Sequence, residues 1–135
     1  MSDRIVFDVP DSQWLTSNQR LHWAEKARRT RFLRTLARLE ARRQHINTTT
    51  GAVHVLAEIQ YPGTGRADPA NVYPTIKALI DGMTDAGVFV DDSSQYVVGP
   101  DMRRVAGRPP KGTHTIAIMI EEIGGEKDGD LRKSV

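Results

Sequence analysis

The chain has 135 residues, 39% of them hydrophobic and 27% charged, with a formal net charge of +2 and no cysteine. That length suits one domain around one modest core, and the composition argues against a wholly disordered chain. The missing cysteines exclude disulfides, thiolate metal sites and a cysteine nucleophile, and no run of about 18 apolar residues offers a membrane span.

The opening stretch "MSDRIVFD" lacks the charged-then-apolar layout of a signal peptide, so a soluble intracellular protein is expected. Ile5, Phe7 and Val9 alternate within Arg4–Val9, which predicts a first strand ended by Pro10. Asp11–Leu21 is polar and turn-rich, with a helix-capping candidate near Ser17 or Asn18. A long helix is predicted over Trp23–Arg43, with Phe32, Leu33, Leu36 and Leu39 as one apolar stripe. Arg28, Arg31, Arg34, Arg38 and Arg42 form a separate basic stripe, within about 120° of one another at helical spacing. Ala52–Tyr61 alternates as a second strand, and the turn Pro62–Gly65 follows it.

A second, amphipathic helix is predicted from Asn71 or Tyr73 to Ala86. It carries Pro74 in its first turn and Gly87 as its stop. A strand leaving Val88 is expected to run back along that helix. A further strand starts at Gln95–Gly99 and continues irregularly past Pro100 towards Val105, and Thr113–Glu121 is the last. The order β-α-β-α-β-β gives an α/β single domain, a mixed sheet with two main helices, over residues 1–122; residues 123–135 read as a flexible C-terminal tail.

The charges are segregated. Between Arg20 and Arg43 nine Lys/Arg face two Glu, a local net of +7, whereas acids gather between Asp68 and Asp92. A basic segment beside an acidic cluster suits a protein that binds a polyanion while holding a cation. Asp68 precedes the second helix and the pair Asp91–Asp92 follows it. Hard divalent cations take such oxygen ligands, and can then serve phosphodiester displacement. One shared ion requires the chain to double back, since a helix of about 15 residues is roughly 22 Å long. The same residues have a plainer reading: Asp-Pro and Asp-Asp-Ser as solvated turns, Lys77 and Asp81 as a surface ion pair, and the arginines as a solvated face. Arg103, Arg104, Arg108 and Lys111 form a second basic patch, and Trp14, Trp23 and Tyr73 are candidates for base stacking, with core packing favoured for the tryptophans. His22, His45, His54 and His114 show no metal-ligand spacing, and "GTGR" lacks the Lys-Ser/Thr ending of a nucleotide-binding loop.

The arrangement of "TSNQRLHW" (Thr16–Trp23), "EIQYPGTGRAD" (Glu58–Asp68), Asn71, Lys77 and "IDGMTDAGVFVDDS" (Ile80–Ser93) resembles the RusA family of Holliday-junction resolvases, over roughly Ile5 to Glu122. The resemblance implies a homodimer, phage- or prophage-encoded and working in the bacterial cytoplasm. It would bind branched DNA at four-way junctions and cut two strands symmetrically, with Mg²⁺ or Mn²⁺. By position it implies Asp68 and Asp92 as catalytic metal ligands with Asp91 beside them, and Lys77 as a catalytic cation near the scissile phosphate. Arg66 and Asn71 would meet DNA, joined by Arg28, Arg31, Arg34, Arg38, Arg103 and Arg104 of the basic surfaces. The chain departs from the family pattern in two places. Ala70 stands where a motif aspartate belongs, and three extra residues, in effect Tyr73–Thr75, precede Lys77. Asp81, on the Lys77 face, is the expected substitute ligand. Besides the endonuclease, two alternatives remain: a non-catalytic relative that binds branched DNA, and a small oligomeric scaffold whose acids only solubilise it.

Overall fold

Alternating apolar residues fix the sheet, and the computed structural model, which describes residues 2–89 and 96–123, shows where it lies. The elements are β1 (Ser2–Pro10), α1 (Trp23–Arg43), β2 (Val53–Gln60), α2 (Tyr73–Asp85), β3 (Val97–Arg104) and β4 (Thr113–Glu122), with short 3-10 turns at Asp11–Gln13 and Pro69–Val72. The chain is thus a single-domain α/β fold with a mixed four-stranded sheet and two helices, in the expected order. Strand order is β1-β4-β2-β3; β4 runs antiparallel to β1 and β2, and β3 runs parallel to β2. No helix among the described residues is long and apolar enough to cross a membrane. The expected tail lies, from residue 124 onward, outside the described residues.

Register turns the alternation into a core. Ile5 pairs with Ile118 and Ile118 with Ala57; Phe7 pairs with Ile116 and Ile116 with Ile59. All six are buried in one cluster with Leu33, Ala37 and Ala41 of α1 and Ile76, Leu79 and Met83 of α2. Both helices therefore cover one face of the sheet. The intervening residues Arg4, Asp8, Glu58, Asp101 and Arg103 fall on the other face.

Helix α1 begins and ends as read, but only half of its expected stripe packs inward: Leu33 is in the core and Leu36 lies against it. Phe32 and Leu39 stay 40% and 51% exposed, and the buried line is Leu33, Ala37 and Ala41, spaced four apart. The reason is the close approach of α2: a Cβ on Gly82 would meet the Arg34 carbonyl and lie 2.7 Å from the Ala37 Cβ. Small residues on an i, i+4 line let the two helices come this near. The cap of α1 is also different: His22 Nδ1 accepts from the Ala24 N–H at 3.1 Å, whereas the Ser17 N–H is bound elsewhere. At the other end Gln44 clasps the free edge of β1, donating to the Val6 carbonyl and accepting from its N–H. Those are the edge groups a sheet otherwise leaves unpaired.

Gly87 stops α2 as expected. With φ +82 it closes a Schellman pattern: Gly87 N–H donates to the Thr84 carbonyl and Val88 N–H to the Met83 carbonyl. The strand expected from Val88 does not form over Val88 and Phe89. The turn packs both side chains into the core, and the Val88 carbonyl accepts the Thr49 N–H at 2.7 Å. The irregularity expected in β3 is a bulge. Gly99 and Pro100 face the single residue Val55, between the pairs His54–Val98 and Leu56–Asp101.

Topology gathers one set of ends. β1 and β2 finish where β4 starts, as the pairs Pro10–Thr113 and Gln60–Thr115 show. Helices α1 and α2 run side by side in the same direction, since Arg29 bonds to Trp14 beside Leu15 and Thr75, while Arg34 and Ala37 meet Gly82. Both helix N-termini, the loop after β1, the loop after β2 and the start of β4 share one end of the molecule.

Candidate functional site

At that shared end the loop 61–68 delivers Arg66 and Asp68. Asp68 caps the 3-10 turn, its Oδ1 accepting from the Ala70 N–H at 3.1 Å, with Pro69 next in place. No hydrogen bond to its other oxygen occurs among the described residues. Asn71 spends its backbone on the loops: its N–H donates to the Asp68 carbonyl at 2.9 Å and its carbonyl accepts from the Ser17 N–H at 2.8 Å. The "TSN" and "RADPAN" stretches, distant in sequence, are thus in direct contact.

Thr75, fully buried, completes the join. Its Oγ1 accepts from the Leu15 N–H at 2.9 Å and donates to the Leu15 carbonyl at 2.8 Å. One of the three extra residues before Lys77 therefore latches the polar loop to α2. Thr75→Val keeps the shape but strands two backbone groups, so a loss of about 2 kcal/mol of stability is expected. Chemical denaturation measures this, and the Leu15 amide should exchange faster with solvent than in the wild type.

Between the two loops lies a groove of about 260 Å³ lined by Trp14, Thr16, Tyr61, Arg66, Asp68 and Asn71, among others. Its aromatic wall is braced from behind. Trp14 stacks on His114 with ring centres 3.9 Å apart, Tyr61 meets His114 edge-on at 5.6 Å, and His114 Nδ1 lies 2.8 Å from the Asp11 carboxylate. The Tyr61 hydroxyl is shut off from solvent without a hydrogen-bond partner among the described residues. Burial raises its pKa, an effect opposed by Arg104 and reinforced by the negative charge of Asp68.

Arg104, expected to reach DNA, is committed elsewhere. It donates to the carbonyls of Gly65 and Gly63 at 2.5 and 2.7 Å and lies 4.9 Å over the Tyr61 ring. It shapes the loop that carries Arg66. Arg103 falls on the sheet face away from the helices. The α1 stripe is more compensated than its sequence suggests. Arg28 and Arg29 both bond Glu25, and Arg34 bonds Asp85 through two nitrogens. The hydrogen bonds from Arg28 and then Arg29 hold the Glu25 carboxyl at about 2, against an ordinary 4.5, and Arg34 lowers Asp85 likewise. Arg31 and Arg42 are exposed and make no hydrogen bond or ion pair among the described residues; Arg38 acts on Asp85 through charge alone. Trp23 does not pack in the core as expected: it is 77% exposed at the first position of α1, beside the His22 ring. Trp14 does pack there.

Lys77 and Asp81 stand on the outward side of α2, with Nζ 2.8 Å from Oδ1. Asp81 thus has a cationic partner already, and it sits about 12 Å further along the helix axis than Tyr73. Among the described residues no group of three or more His, Asp or Glu is placed to hold a metal ion. Asp91 and Asp92 lie outside the described residues. Asp68, Asn71 and Arg66 are brought together; Asp81 and Lys77 form their own pair. Trp14, read as a stacking candidate with core packing favoured, belongs to the core and also lines the groove; the roles of Tyr61 as groove wall and Thr75 as latch were missed, and the one local signal was the unusual density of side-chain donors and acceptors in "WLTSNQR".

No protein-family model matches the chain, and no curated protein matches it.

Proposed function

We propose that the protein is a metal-dependent endonuclease acting on branched DNA, in the manner of the resolvases its motifs resemble. One observation carries this reading: Arg66, Asp68 and Asn71 share one groove, with a guanidinium and a side-chain amide unengaged among the described residues, at the end where both helix N-termini lie. Helix N-termini favour anions, and Arg20, Lys26 and Lys111 belong to the segments at this end. The donor chemistry of Asp68 fits a hard cation such as Mg²⁺ or Mn²⁺, with Asp91 and Asp92 as the carboxylates that would complete the shell. Such an ion, when bound, activates water and steadies the leaving oxygen. The chain's own parts are Arg66, which would hold the backbone phosphate, and Lys77, which would offset charge developing there. A homodimer would present two such sites about one axis, as paired nicks in a symmetric junction require.

The test is a synthetic four-way junction with Mg²⁺. Paired nicks are expected; a protein that neither cuts the junction nor prefers it over linear duplex refutes the reading. Ala70 favours a second reading, a branched-DNA binder that no longer cuts, because its methyl group replaces a carboxylate in the motif. Junction binding without cutting selects that one.

The uncommitted arginines of α1 give a separate expectation. Replacing Arg31, Arg38 and Arg42 by Ala should flatten the salt dependence of junction binding by about 0.9 in log–log slope for each phosphate that an arginine no longer neutralises. An unchanged slope, measured by anisotropy over a salt series, removes this helix from the interface.

A further inference from the structure

Resting on the reading of the chain as a protein that acts on branched DNA, we propose that the groove between Trp14 and Asn71 receives a single unpaired nucleotide of that DNA. Its base lies against Trp14 and Tyr61, its edge is bonded by the Asn71 amide, and its phosphate is met by Arg66. Two polar groups of the groove stand open. The Asn71 side chain makes no hydrogen bond among the described residues, so a donor and an acceptor on one planar group remain available, the pair that reads a base edge. Arg66 is exposed and likewise without a partner there, and a guanidinium matches phosphate geometry. Asp68 at the same groove repels a second phosphate, which places the anionic part of the ligand on the Arg66 side and leaves the uncharged ring for the aromatic wall.

Access and size select an unpaired base. Trp14 lines the groove yet is only 8% exposed, most of its ring being packed in the core. A base held inside a duplex presents edges, not a free face, so it cannot reach this ring. A base at a branch point or flap is already released from its stack, and turning it into a pocket costs least there. The cavity of about 260 Å³ lies below the roughly 300–1,000 Å³ of pockets that enclose a drug-sized ligand. It suits one ring system and its sugar. The wall is also stiff. The Trp14–His114 stack, the His114–Asp11 contact and the Arg104 clamp on the following loop hold both rings in place before any ligand arrives.

The experiment uses the full chain without metal, in EDTA, so that cutting plays no part. The sequence has two tryptophans, so Trp23→Phe leaves Trp14 as the sole reporter. A short oligodeoxyadenylate should quench Trp14 fluorescence saturably, and the same oligonucleotide made abasic throughout should bind about tenfold more weakly. Asn71→Ala should weaken the base-containing strand by about tenfold and leave the abasic strand unchanged. Arg66→Ala should weaken both alike. The proposal is overturned if the abasic strand binds as well as the intact one, or if Asn71→Ala, with its melting temperature unchanged, affects the two strands equally. Discrimination in EDTA by a protein that never cuts a junction upholds the groove and defeats the nuclease reading. Cutting with Mg²⁺ by a protein that shows no discrimination defeats the groove alone.

Discussion

Asp68→Asn is expected to lower junction cutting at least about 100-fold while leaving the melting temperature nearly unchanged. The two halves of that expectation come from different atoms. Asn caps a helical turn about as well as Asp, so the bond from the Ala70 N–H survives and the loop carrying Arg66 keeps its shape. The amide, however, supplies no negative charge to a hard cation, and loss of metal assistance removes several kcal/mol of transition-state stabilisation, each 1.36 kcal/mol being tenfold in rate. Junction binding without cutting should persist, because the proposed reading assigns the phosphate contacts to Arg66 and α1. Undiminished cutting by a folded Asp68→Asn protein means that the cation, if there is one, is held elsewhere.

Gly82→Ala is expected to destabilise the fold, against its helix propensity. Propensity alone predicts a gain of about 1 kcal/mol for Ala over Gly inside a helix. Packing predicts the reverse. The new methyl group would meet the Arg34 carbonyl and crowd the Ala37 Cβ, one of them backbone and neither able to rotate away. Overpacking of this kind costs about 1–3 kcal/mol and occasionally more. Here the helices must part along the Leu33–Ala37–Ala41 seam, so the packing loss outweighs the propensity gain. A net loss of about 2 kcal/mol is expected, a fall in melting temperature of roughly 8 °C for a domain of this size. An unchanged or raised melting temperature contradicts the close crossing of α1 and α2.

Those two positions differ in how far the sequence reveals them. The sheet was readable because burial on one face enforces alternation: Val53, Val55, Ala57 and Ile59, and Ile116, Ile118 and Ile120, show it directly. The bounds of α1 and the stop at Gly87 were readable for the same local reason, that caps and breakers act within a turn. The seam of α1 was not. Periodicity reports where large apolar side chains recur, and here the contact is made by Ala37 against Gly82, so Phe32 and Leu39 drew attention to the wrong line.

The site divides similarly. Arg66, Asp68 and Asn71 were legible because they sit within one short loop whose capping chemistry keeps them together. The partners that build the groove around them were not, because they come from far along the chain: Leu15 and Thr75 are 60 positions apart, and His114 lies 103 positions from Asp11. The basic stripe was visible, but its partial neutralisation was not, since Asp85 reaches Arg34 across the helix pair. The strand expected from Val88 is absent over Val88 and Phe89, where the helix-ending turn takes both residues into the core, and the acid pair Asp91–Asp92 that it was to carry lies outside the described residues.

The most direct measurement is a titration of Mn²⁺ into the wild-type protein and into Asp68→Asn and Asp92→Asn, followed by the electron paramagnetic resonance signal of the free ion. Saturable loss of that signal is expected with the wild type, and markedly weaker uptake with both variants. A wild type that leaves the free-ion signal intact, or an Asp68→Asn protein that takes up Mn²⁺ as the wild type does, would contradict a cation held at Asp68.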